Sequence, residues 1–477
     1  MLLVPPDLLS ATCPNVAFYQ SGRSMMKLPC ILDSATMYTL LFLLLSTISF
    51  TTAVVDPDPA PRWVPKWQGG HPPYIHDRRA TAKSKKCTVK SGDPSGDDTA
   101  SILAAFRDCK EDGHILFKNT TYHVGKVMTT TGLKNVDIEL QGTMEWSKDI
   151  PYWLNHSIGI GFQNQSSAWL LGGENIHFYG HGYGTLFGNG EVWYASNNHT
   201  NNRQGRPHAI SFYNTTNSLI EGLRFIQSQM WTSTVVRSER VELSDIFINN
   251  SCITKTDGCN MNTDGVDTIY ANYITFLRWT VESGDDGISM KQNSSNIYMA
   301  NNTFIKGNSY AMGSIGQYKG EVNFIENVTA VDTICYDTSY AARIKSWTGN
   351  STGVPPNGGG GGLGWARNIS FTNFALHNVD NPWYITQCTS YNSVKGGCDT
   401  SLFHIDGLHW GNTTGTIRND LVASLQCSGA APCTNVNIFG NNLVNQKTNA
   451  KPTSYLCSNV KDPKGFKCTG KAPNPNE

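Results

Sequence analysis

Short runs of aliphatic and aromatic residues recur along most of this chain, and polar turns separate them. The runs begin roughly 22 to 35 residues apart. In several of them an aliphatic strand precedes an asparagine at the following turn: NSSNIYMANNTF (293–304), KGEVNFIENVTAV (319–331), ARNISFTNFAL (366–376) and CTNVNIFGNNLV (433–444). Such a repeat is typical of a solenoid in which turn asparagines hydrogen-bond along a ladder. The pattern therefore predicts an all-β chain folded as a β-helix.

The predicted strands extend over most of the chain. They are His114 to Phe117, Val136 to Leu140, Ile176 to Tyr179, Ile210 to Tyr213, Leu219 to Ile226, Val241 to Ile248, Tyr273 to Phe276, Ile297 to Met299, Val322 to Ile325, Ile369 to Phe374, Phe403 to Leu408 and Val436 to Phe439. A sandwich or barrel is the alternative, but it needs hairpin turns, and the Asn-Gly turn signal is scarce here. The Gly-rich segment 355–364 interrupts the pattern and is interpreted as a loop.

One amphipathic helix precedes the first predicted strand. Thr99 is its expected N-cap, and the helix ends near Gly113. Its apolar face carries Ile102, Leu103 and Phe106. We expect this helix to cap the open end of the solenoid, because an uncovered sheet edge invites pairing with other chains.

The N-terminal residues resemble a secretory signal. Arg23 and Lys27 precede the apolar run Met37–Phe50, and a small-residue cleavage pattern follows at Ala53. The alternatives are a later initiator methionine or an uncleaved anchor, although the run is short for a bilayer span. The predicted organisation is a signal peptide with an N-terminal extension (1–53), a Pro- and Lys-rich linker (54–86) and a single β-helix catalytic domain (87–477).

Composition supports secretion and excludes some partners. The formal net charge is zero, which gives no basis for nucleic-acid binding. Twelve N-x-S/T sequons predict a glycosylated extracellular protein. Cysteines close in sequence form the simplest disulfide framework and leave Cys335 unpaired. The predicted pairs are Cys87/Cys109, Cys252/Cys259, Cys388/Cys398, Cys427/Cys433 and Cys457/Cys468.

The candidate chemistry is concentrated between residues 262 and 291. Asp264, Asp267, Asp285 and Asp286 lie there among Gly, Ile, Val and Met, with few opposing charges. Asp264 and Asp285 are 21 residues apart, a spacing that would place them on adjacent coils of a solenoid. Paired carboxylates suit glycoside hydrolysis, and neighbouring acids separate each other's protonation. Spacing alone leaves a calcium site open as the alternative.

Four ordered motifs resemble glycoside hydrolase family 28, the polygalacturonases. They are NTD at 262–264, GDD at 284–286 followed by ISMK, GSIGQ at 313–317 and RIK at 343–345. The resemblance implies a right-handed parallel β-helix and a secreted monomer without metal or cofactor. It also implies inverting hydrolysis of α-1,4-galacturonide bonds in pectic polysaccharide.

The resemblance assigns a role to each acid. Asp285 matches the general acid, while Asp264 and Asp286 match the carboxylates that position and deprotonate water. Arg343 and Lys345 match the basic pair that holds a galacturonate carboxylate. The other expected substrate-binding residues are Asn262, Asn308, Lys291 and Gln317. Asp267 is assigned to turn structure rather than to catalysis.

Two positions depart from the family pattern. Asn308 stands where polygalacturonases usually carry a histidine, and no histidine lies between His208 and His377. Gly287 stands where a cysteine is common. Asparagine hydrogen-bonds but cannot carry a proton in catalysis. We expect these departures to affect the substrate rather than the reaction class.

The sequence around several of these motifs is similar to that of fungal exo-acting members of the family. The hypothesis is therefore an exopolygalacturonase that releases galacturonic acid from non-reducing ends. The segment Asp149–Gln204 is the expected wall of a closed pocket, with Trp153, Trp169 and Trp193 as either wall or core. An exo-acting rhamnogalacturonan hydrolase and a non-catalytic pectin-binding β-helix are the alternatives. A pectate lyase shares the solenoid, but it needs Ca²⁺ and a basic proton abstractor.

Overall fold

A computed structural model describes residues 83–94, 96–253, 258–391 and 396–474. The predicted signal peptide and most of the predicted linker lie outside the described residues. No helix within these ranges is long and apolar enough to cross a membrane.

The described chain is built almost entirely from short parallel strands. Its helices are α1 (Thr99–Asp108), α2 (Ile150–His156) and α3 (Gly190–Asn197). The strands are β1 (Lys85–Thr88), β2 (Gly113–Phe117), β3 (Thr121–Val124), β4 (Met128–Leu140), β5 (Thr143–Trp146), β6 (Ile158–Gly159), β7 (Ser166–Ser167), β8 (Trp169–Phe187), β9 (Pro207–His208), β10 (Ile210–Tyr213), β11 (Thr216–Ile226), β12 (Ser233–Val236), β13 (Glu239–Ser244), β14 (Phe247–Asn249), β15 (Val266–Ile269), β16 (Asn272–Leu277), β17 (Thr280–Glu282), β18 (Asp286–Met290), β19 (Ser294–Ala300), β20 (Thr303–Ile305), β21 (Asn308–Ile315), β22 (Val322–Tyr336), β23 (Tyr340–Trp347), β24 (Leu363–Val379), β25 (Asn381–Thr389), β26 (Leu402–Ile417), β27 (Leu421–Gln426), β28 (Thr434–Asn445) and β29 (Ser454–Ser458).

The strands of the main sheet pair in parallel with the equivalent strands of the next coil, which makes a β-helix with three faces. Strands β6, β7 and β9 form a small separate sheet in which β6 and β7 are antiparallel. The first face runs β10, β12, β15, β18, β21, β23, β25, β27 and β29. The second runs through β11, β13, β16 and β19, and the third through β14, β17 and β20. In the later coils the long strands β22, β24, β26 and β28 form both the second and third faces. This topology confirms the predicted all-β solenoid.

In-register stacking builds the core. One interior column of the second face is Ile274, Ile297, Val328, Ile369, Leu408 and Val436, and every member is fully buried. Like residues on successive coils meet because parallel register repeats the same inward position. The column accounts for the aliphatic repeat seen in the sequence.

The predicted asparagine ladder is also present. The side-chain amide of Asn296 donates to Asn272 at 2.8 Å, Asn327 donates to Asn296 at 3.0 Å and Asn368 donates to Asn327 at 2.7 Å. Asn296, Asn327 and Asn368 take a positive φ of 54° to 57°, a left-handed conformation that asparagine tolerates better than most residues. The ladder therefore supports the bend between faces from one coil to the next.

The N-terminal helix is shorter than predicted. It begins with Thr99 as its first residue, Asp98 occupies the cap position, and the helix ends at Asp108 rather than near Gly113. Gly113 instead begins β2, because that strand must pair in parallel with β1. Phe106 is buried in the core and packs edge-on against Trp169 at 5.7 Å, as a capping helix requires.

The disulfide predictions are confirmed. All five predicted pairs are bonded, and Cys335 is a buried free thiol. The pair Cys87–Cys109 ties β1 to the end of α1.

The interior column yields a stability prediction. We expect Ile369→Ala to lower the free energy of unfolding by about 2–5 kcal/mol, because the cavity cannot collapse between fixed coils. Ile253→Ala is the matched control, since Ile253 is 73% exposed and should change stability by under about 0.5 kcal/mol. Urea denaturation followed by circular dichroism measures both. Equal effects of the two substitutions would contradict the account of the core.

Candidate active site

Three carboxylates meet on the outer surface of the first face. Asp264 lies two residues before β15, Asp285 directly precedes β18, and Asp286 is the first residue of β18. The register of these strands pairs Val266 with Ile288, and the amide of Gly265 donates to the carbonyl of Asp286 at 2.9 Å. One oxygen of each acid lies within 4.8 Å of the others. The acids lie on adjacent coils, as predicted, but the register that pairs Val266 with Ile288 aligns Asp264 with Asp286 rather than with Asp285.

Asp286 is the ionised member of this group. It is 1% exposed, and two cations from β23 reach it: Arg343 Nε donates to Oδ1 at 3.0 Å, and Lys345 Nζ donates to Oδ2 at 3.0 Å. Burial acts to raise its pKa, but the charges of Arg343 and Lys345 outweigh burial and hold the pKa of Asp286 well below its ordinary value. The carboxylate is thus fixed in place with both oxygens occupied.

Asp264 has the opposite environment. It is 2% exposed, and its Oδ1 has no hydrogen-bond partner in the described part of the chain. Burial, together with the nearby charges of Asp285 and Asp267, raises the pKa of Asp264 well above its ordinary value. Two neighbouring acids in contrasting environments can hold a proton and a negative charge at the same pH.

Asp285 is the most accessible of the three acids, with 24% of its side chain exposed. Within the described residues, the carboxylate of Asp285 accepts four hydrogen bonds. Oδ1 accepts from the amide of Asp286 at 2.9 Å, from Asn308 at 3.3 Å and from Arg343 at 3.4 Å. Oδ2 accepts from Asn262 at 3.3 Å. The position assigned to the general acid therefore faces the cavity.

Asp267 does not lie in a turn, so its assignment to turn structure was wrong. It belongs to β15, is fully buried and forms an ion pair with Lys291 at 3.1 Å. Burial acts to lower the pKa of Lys291. The negative charge of Asp267 outweighs burial and raises the pKa above its ordinary value. Lys291 Nζ also donates to the carbonyl of Gly313 at 2.9 Å and lies 5.2 Å from the centre of the Trp231 ring. Lys291 is thus a buried wall residue of the cavity.

The acids line a cavity of about 340 Å³. Its cations are Lys291, Arg343 and Lys345, and its amide side chains are Gln163, Asn201, Asn202, Asn262 and Asn308. Trp231, Met261, Ser314 and Tyr391 also contribute to the wall. The volume is at the lower end of the range of about 300–1,000 Å³ for small-molecule pockets.

The structure does not bring Gln317 to this cavity. Its side chain instead donates to the carbonyls of Pro356 at 2.9 Å and Gly358 at 2.8 Å. The glutamine therefore holds the Gly-rich loop in position. The loop predicted from composition is present, and this contact fixes its place beside the site.

The segment 149–204 closes part of the cavity, but not through its tryptophans. Trp153, Trp169 and Trp193 are fully buried members of the core. The wall comes from Gln163 and from the asparagines Asn201 and Asn202. Polar loop residues without periodic spacing carry no sequence signal beyond their position in this long segment.

An apolar cluster covers the neighbouring surface of the earlier coils. Phe162 packs there with Leu170 of β8, Val236 of β12 and Ile269 of β15, together with Ile160, Met230 and Trp231. The backbone amide of Gln163 donates to the hydroxyl of Tyr318 at 2.9 Å and anchors this covering segment. We call this cluster the apolar plug. It occupies the outer surface of the first face on the side of the earlier coils.

Among the described residues, no histidine lines the cavity in place of the one absent at position 308. His208 is fully buried, stacks against Trp231 at 4.5 Å and does not line the cavity. Burial, assisted by the charge of Lys291, lowers the pKa of His208 to about 3. The imidazole therefore stays neutral at the pH values at which proteins usually work.

The calcium interpretation fits this geometry less well than acid–base chemistry. Calcium takes six to eight oxygen ligands. Here Arg343 and Lys345 occupy both oxygens of Asp286 and already supply its counter-charge.

Comparison with known proteins decides the family. The family model described as glycosyl hydrolases family 28 matches residues 116–468. This chain belongs to glycoside hydrolase family 28. The family assignment confirms the resemblance carried by the NTD, GDD, GSIGQ and RIK motifs.

Two curated relatives differ in the activity that their names give. An α-L-rhamnosidase of Aspergillus niger (rgxB) is 43% identical over 387 residues, covering 80% of this chain and 90% of the relative. A putative galacturan 1,4-α-galacturonidase A of Aspergillus flavus is 35% identical over 414 residues, covering 81% and 93%. Family membership therefore leaves the terminal sugar to be decided.

Solved structures of the family share the fold. The endo-xylogalacturonan hydrolase of Aspergillus tubingensis superposes with a TM-score of 0.67 at 21% identity, covering 81% of this chain and 99% of that structure. The polygalacturonase of Erwinia carotovora gives a TM-score of 0.57 at 19% identity, covering 80% and 96%. These likenesses confirm the right-handed parallel β-helix.

The raised pKa of Asp264 predicts a pH-dependent stability. A carboxyl whose pKa is higher in the folded state stabilises the fold at low pH, and that contribution is lost as pH rises through the folded-state pKa. We therefore expect Asp264→Asn to gain stability relative to the wild type as pH increases from about 4 to about 8. Denaturant titrations across this range measure the difference. A difference that stays constant or shrinks would contradict the environment described for Asp264.

Proposed function

We propose that this family 28 enzyme is an exo-acting hydrolase that releases a terminal α-L-rhamnose residue from pectic oligosaccharides. The observation that carries the exo assignment is the small, partly closed cavity of about 340 Å³ in which the three acids lie. We further propose that the protein is a secreted monomer, as its disulfides suit an oxidising compartment.

The apolar plug supports exo action. It covers the earlier coils next to the acids, so a polysaccharide could not continue along the first face in that direction. On the later coils, Tyr340 of β23 and Tyr384 of β25 are partly exposed beside Arg343. The remainder of the chain would leave the site on this side. Only the terminal residue would then enter the pocket.

The environments of the acids support a division of roles. Asp285, which faces the cavity, would protonate the glycosidic oxygen. Asp264 and Asp286 would hold the attacking water between them, and Asp264 would accept its proton, since its proton affinity is the higher. The productive arrangement needs a proton on Asp285, ready for the glycosidic oxygen, and an ionised Asp264, ready for the proton of water.

We propose inversion at the anomeric carbon. The acids are closer together than the roughly 6.5–9.5 Å usual for inverting pairs. A retaining reaction, however, needs a free carboxylate as nucleophile. Asp286 is bonded to cations through both oxygens, so it is poorly suited to form a covalent glycosyl intermediate. Asp264, ionised in the productive state, is assigned to the attacking water instead.

The charges of the pocket favour a neutral terminal sugar. Each of its three cations already contacts a carboxylate: Lys291 pairs with Asp267, while Arg343 and Lys345 pair with Asp286. A uronate would have to displace one of these buried pairs, and a buried charge left unpaired is strongly destabilising. The likeness to an α-L-rhamnosidase supports the same choice.

Galacturonic acid, the product expected from the sequence, is the second candidate. Arg343 and Lys345 are 14% and 13% exposed, so they remain partly accessible to a substrate carboxylate. The likeness to putative galacturonidases also favours this sugar.

Product analysis tests the proposal. The secreted protein is incubated separately with rhamnogalacturonan and polygalacturonate oligosaccharides, and products are followed over time by chromatography. Rhamnose as the sole early product supports the proposal. Galacturonic acid from polygalacturonate alone would establish the second candidate. Internal fragments at early times would overturn exo action, and an ultraviolet-absorbing unsaturated sugar would overturn hydrolysis.

The acid role predicts the effect of one substitution. Asp285→Asn should lower kcat by several orders of magnitude and leave the fold intact, because an amide cannot donate the catalytic proton. Asp332→Asn is the matched control, since Asp332 is exposed on β22, accepts a hydrogen bond from Asn373 at 3.1 Å and does not line the cavity. Near-normal turnover of Asp285→Asn on the accepted substrate would remove this residue from the mechanism.

Inversion predicts the first anomer. Hydrolysis of an α-linked terminal sugar should release the β-anomer, which then mutarotates. Proton NMR spectra recorded during the first minutes distinguish the outcomes. Initial accumulation of the α-anomer would require a retaining mechanism.

A further inference from the structure

The pocket wall and the catalytic acid are connected by a chain of amide side chains. Asn262 donates to Asp285 Oδ2 at 3.3 Å, and Asn262 Oδ1 accepts the backbone amide of Asn202 at 2.9 Å. Asn202 Nδ2 donates to Asn357 Oδ1 at 3.3 Å, and Asn357 Nδ2 donates to the carbonyl of Asn201 at 3.3 Å. We call Asn201, Asn202 and Asn357 the amide clasp. It joins segment 149–204 to the Gly-rich loop.

The backbone amide of Asn202 determines how the Asn262 amide is oriented. A backbone N–H can only donate, so it must face the oxygen of Asn262. The NH₂ group of Asn262 is then directed to Asp285. Among the described residues, Asn262 supplies the single hydrogen bond to Asp285 Oδ2, whereas Oδ1 accepts three hydrogen bonds. Asn262 therefore controls the less constrained oxygen of the catalytic carboxyl.

The backbone conformation of both asparagines suits these positions. Asn202 has φ of 48° and Asn262 has φ of 58°. Asparagine and glycine are the residues that most readily adopt this left-handed conformation. Substitution by glycine therefore removes the side chain without straining the backbone.

We infer that Asn262 is a positioning residue for Asp285 and that the amide clasp couples closure of the pocket to the orientation of this acid. The inference rests on the proposed role of Asp285. A terminal sugar that contacts Asn201 or Asn202 would stabilise the amide clasp. Through Asn262, it would also stabilise the orientation of the Asp285 carboxyl that is productive for proton donation. An incompletely closed pocket would leave the acid misaligned, so hydrolysis would depend on an occupied terminal site.

Three variants test the inference. Asn262→Gly should lower kcat about tenfold to hundredfold, because it removes a hydrogen bond to a charged group. Asn357→Ala, which does not touch Asp285, should lower kcat about twofold to tenfold through loss of a neutral bond. Asn373→Gly is the control: Asn373 also has a positive φ, of 63°, and hydrogen-bonds Asp332 on an exposed surface. It should leave kcat unchanged.

The pH profile separates positioning from wall formation. Loss of a donor disfavours the ionised carboxylate, so the alkaline limb of the profile should move to higher pH in Asn262→Gly and, less strongly, in Asn357→Ala. A KM increase with an unchanged kcat and an unmoved pH profile in Asn357→Ala would overturn the coupling. An unmoved profile in Asn262→Gly would overturn the positioning role.

Crystal structures distinguish failure of the inference from failure of the proposed function. In Asn357→Ala we expect loss of the bond between the Asn202 amide and Asn262, together with rotation of the Asp285 carboxyl. Unchanged positions of both side chains would overturn the coupling, whether or not any sugar is released. A wild-type protein inactive on all pectic substrates would overturn the function, and these structures would still decide the coupling.

Discussion

Parallel hydrogen bonding between successive coils is the constraint on which the site depends. The register of β15, β18 and β21 places residues 22 positions apart beside each other, as Asp286 lies beside Asn308. The next coil is longer, yet its strand β23 keeps the register and presents Arg343 and Lys345 toward the same acids. The solenoid can vary its loops without moving the catalytic groups. The pocket is built from those loops, and the chemistry is built from the strands.

Charge balance explains why this acidic group can be buried. Burying several carboxylates together would be strongly unfavourable without opposing charge. Arg343 and Lys345 fix Asp286 as a carboxylate, and Lys291 compensates Asp267 behind it. Asp264 has no cation in hydrogen-bonding contact in the described structure, which is why its proton affinity rises. The same pairing occupies the cations that a uronate would need, so the proposed acid–base chemistry and the proposed preference for a neutral sugar rest on one arrangement.

The sequence predicted the second and third faces better than the first. Strands such as Ile297–Met299 are apolar and repeat, whereas β18 and β21 mix glycine, serine and other polar residues with apolar ones and give no strand pattern. The acids were recognised from their motifs rather than from periodicity. The motifs could not show that Gln317 holds a loop or that Asp267 pairs with Lys291, because side-chain direction depends on the fold. The amide clasp joins residues 155 positions apart and leaves no local signal.

The most direct test is the structure of the Asp285→Asn variant in complex with a pectic oligosaccharide ending in rhamnose. The account predicts that the terminal residue is enclosed beside Asn201 and Asn202, with the scissile oxygen within hydrogen-bonding distance of residue 285. The rest of the oligosaccharide should extend over β23 and β25. A chain that passes through the site in both directions, or a terminal sugar bound away from the three acids, would contradict it.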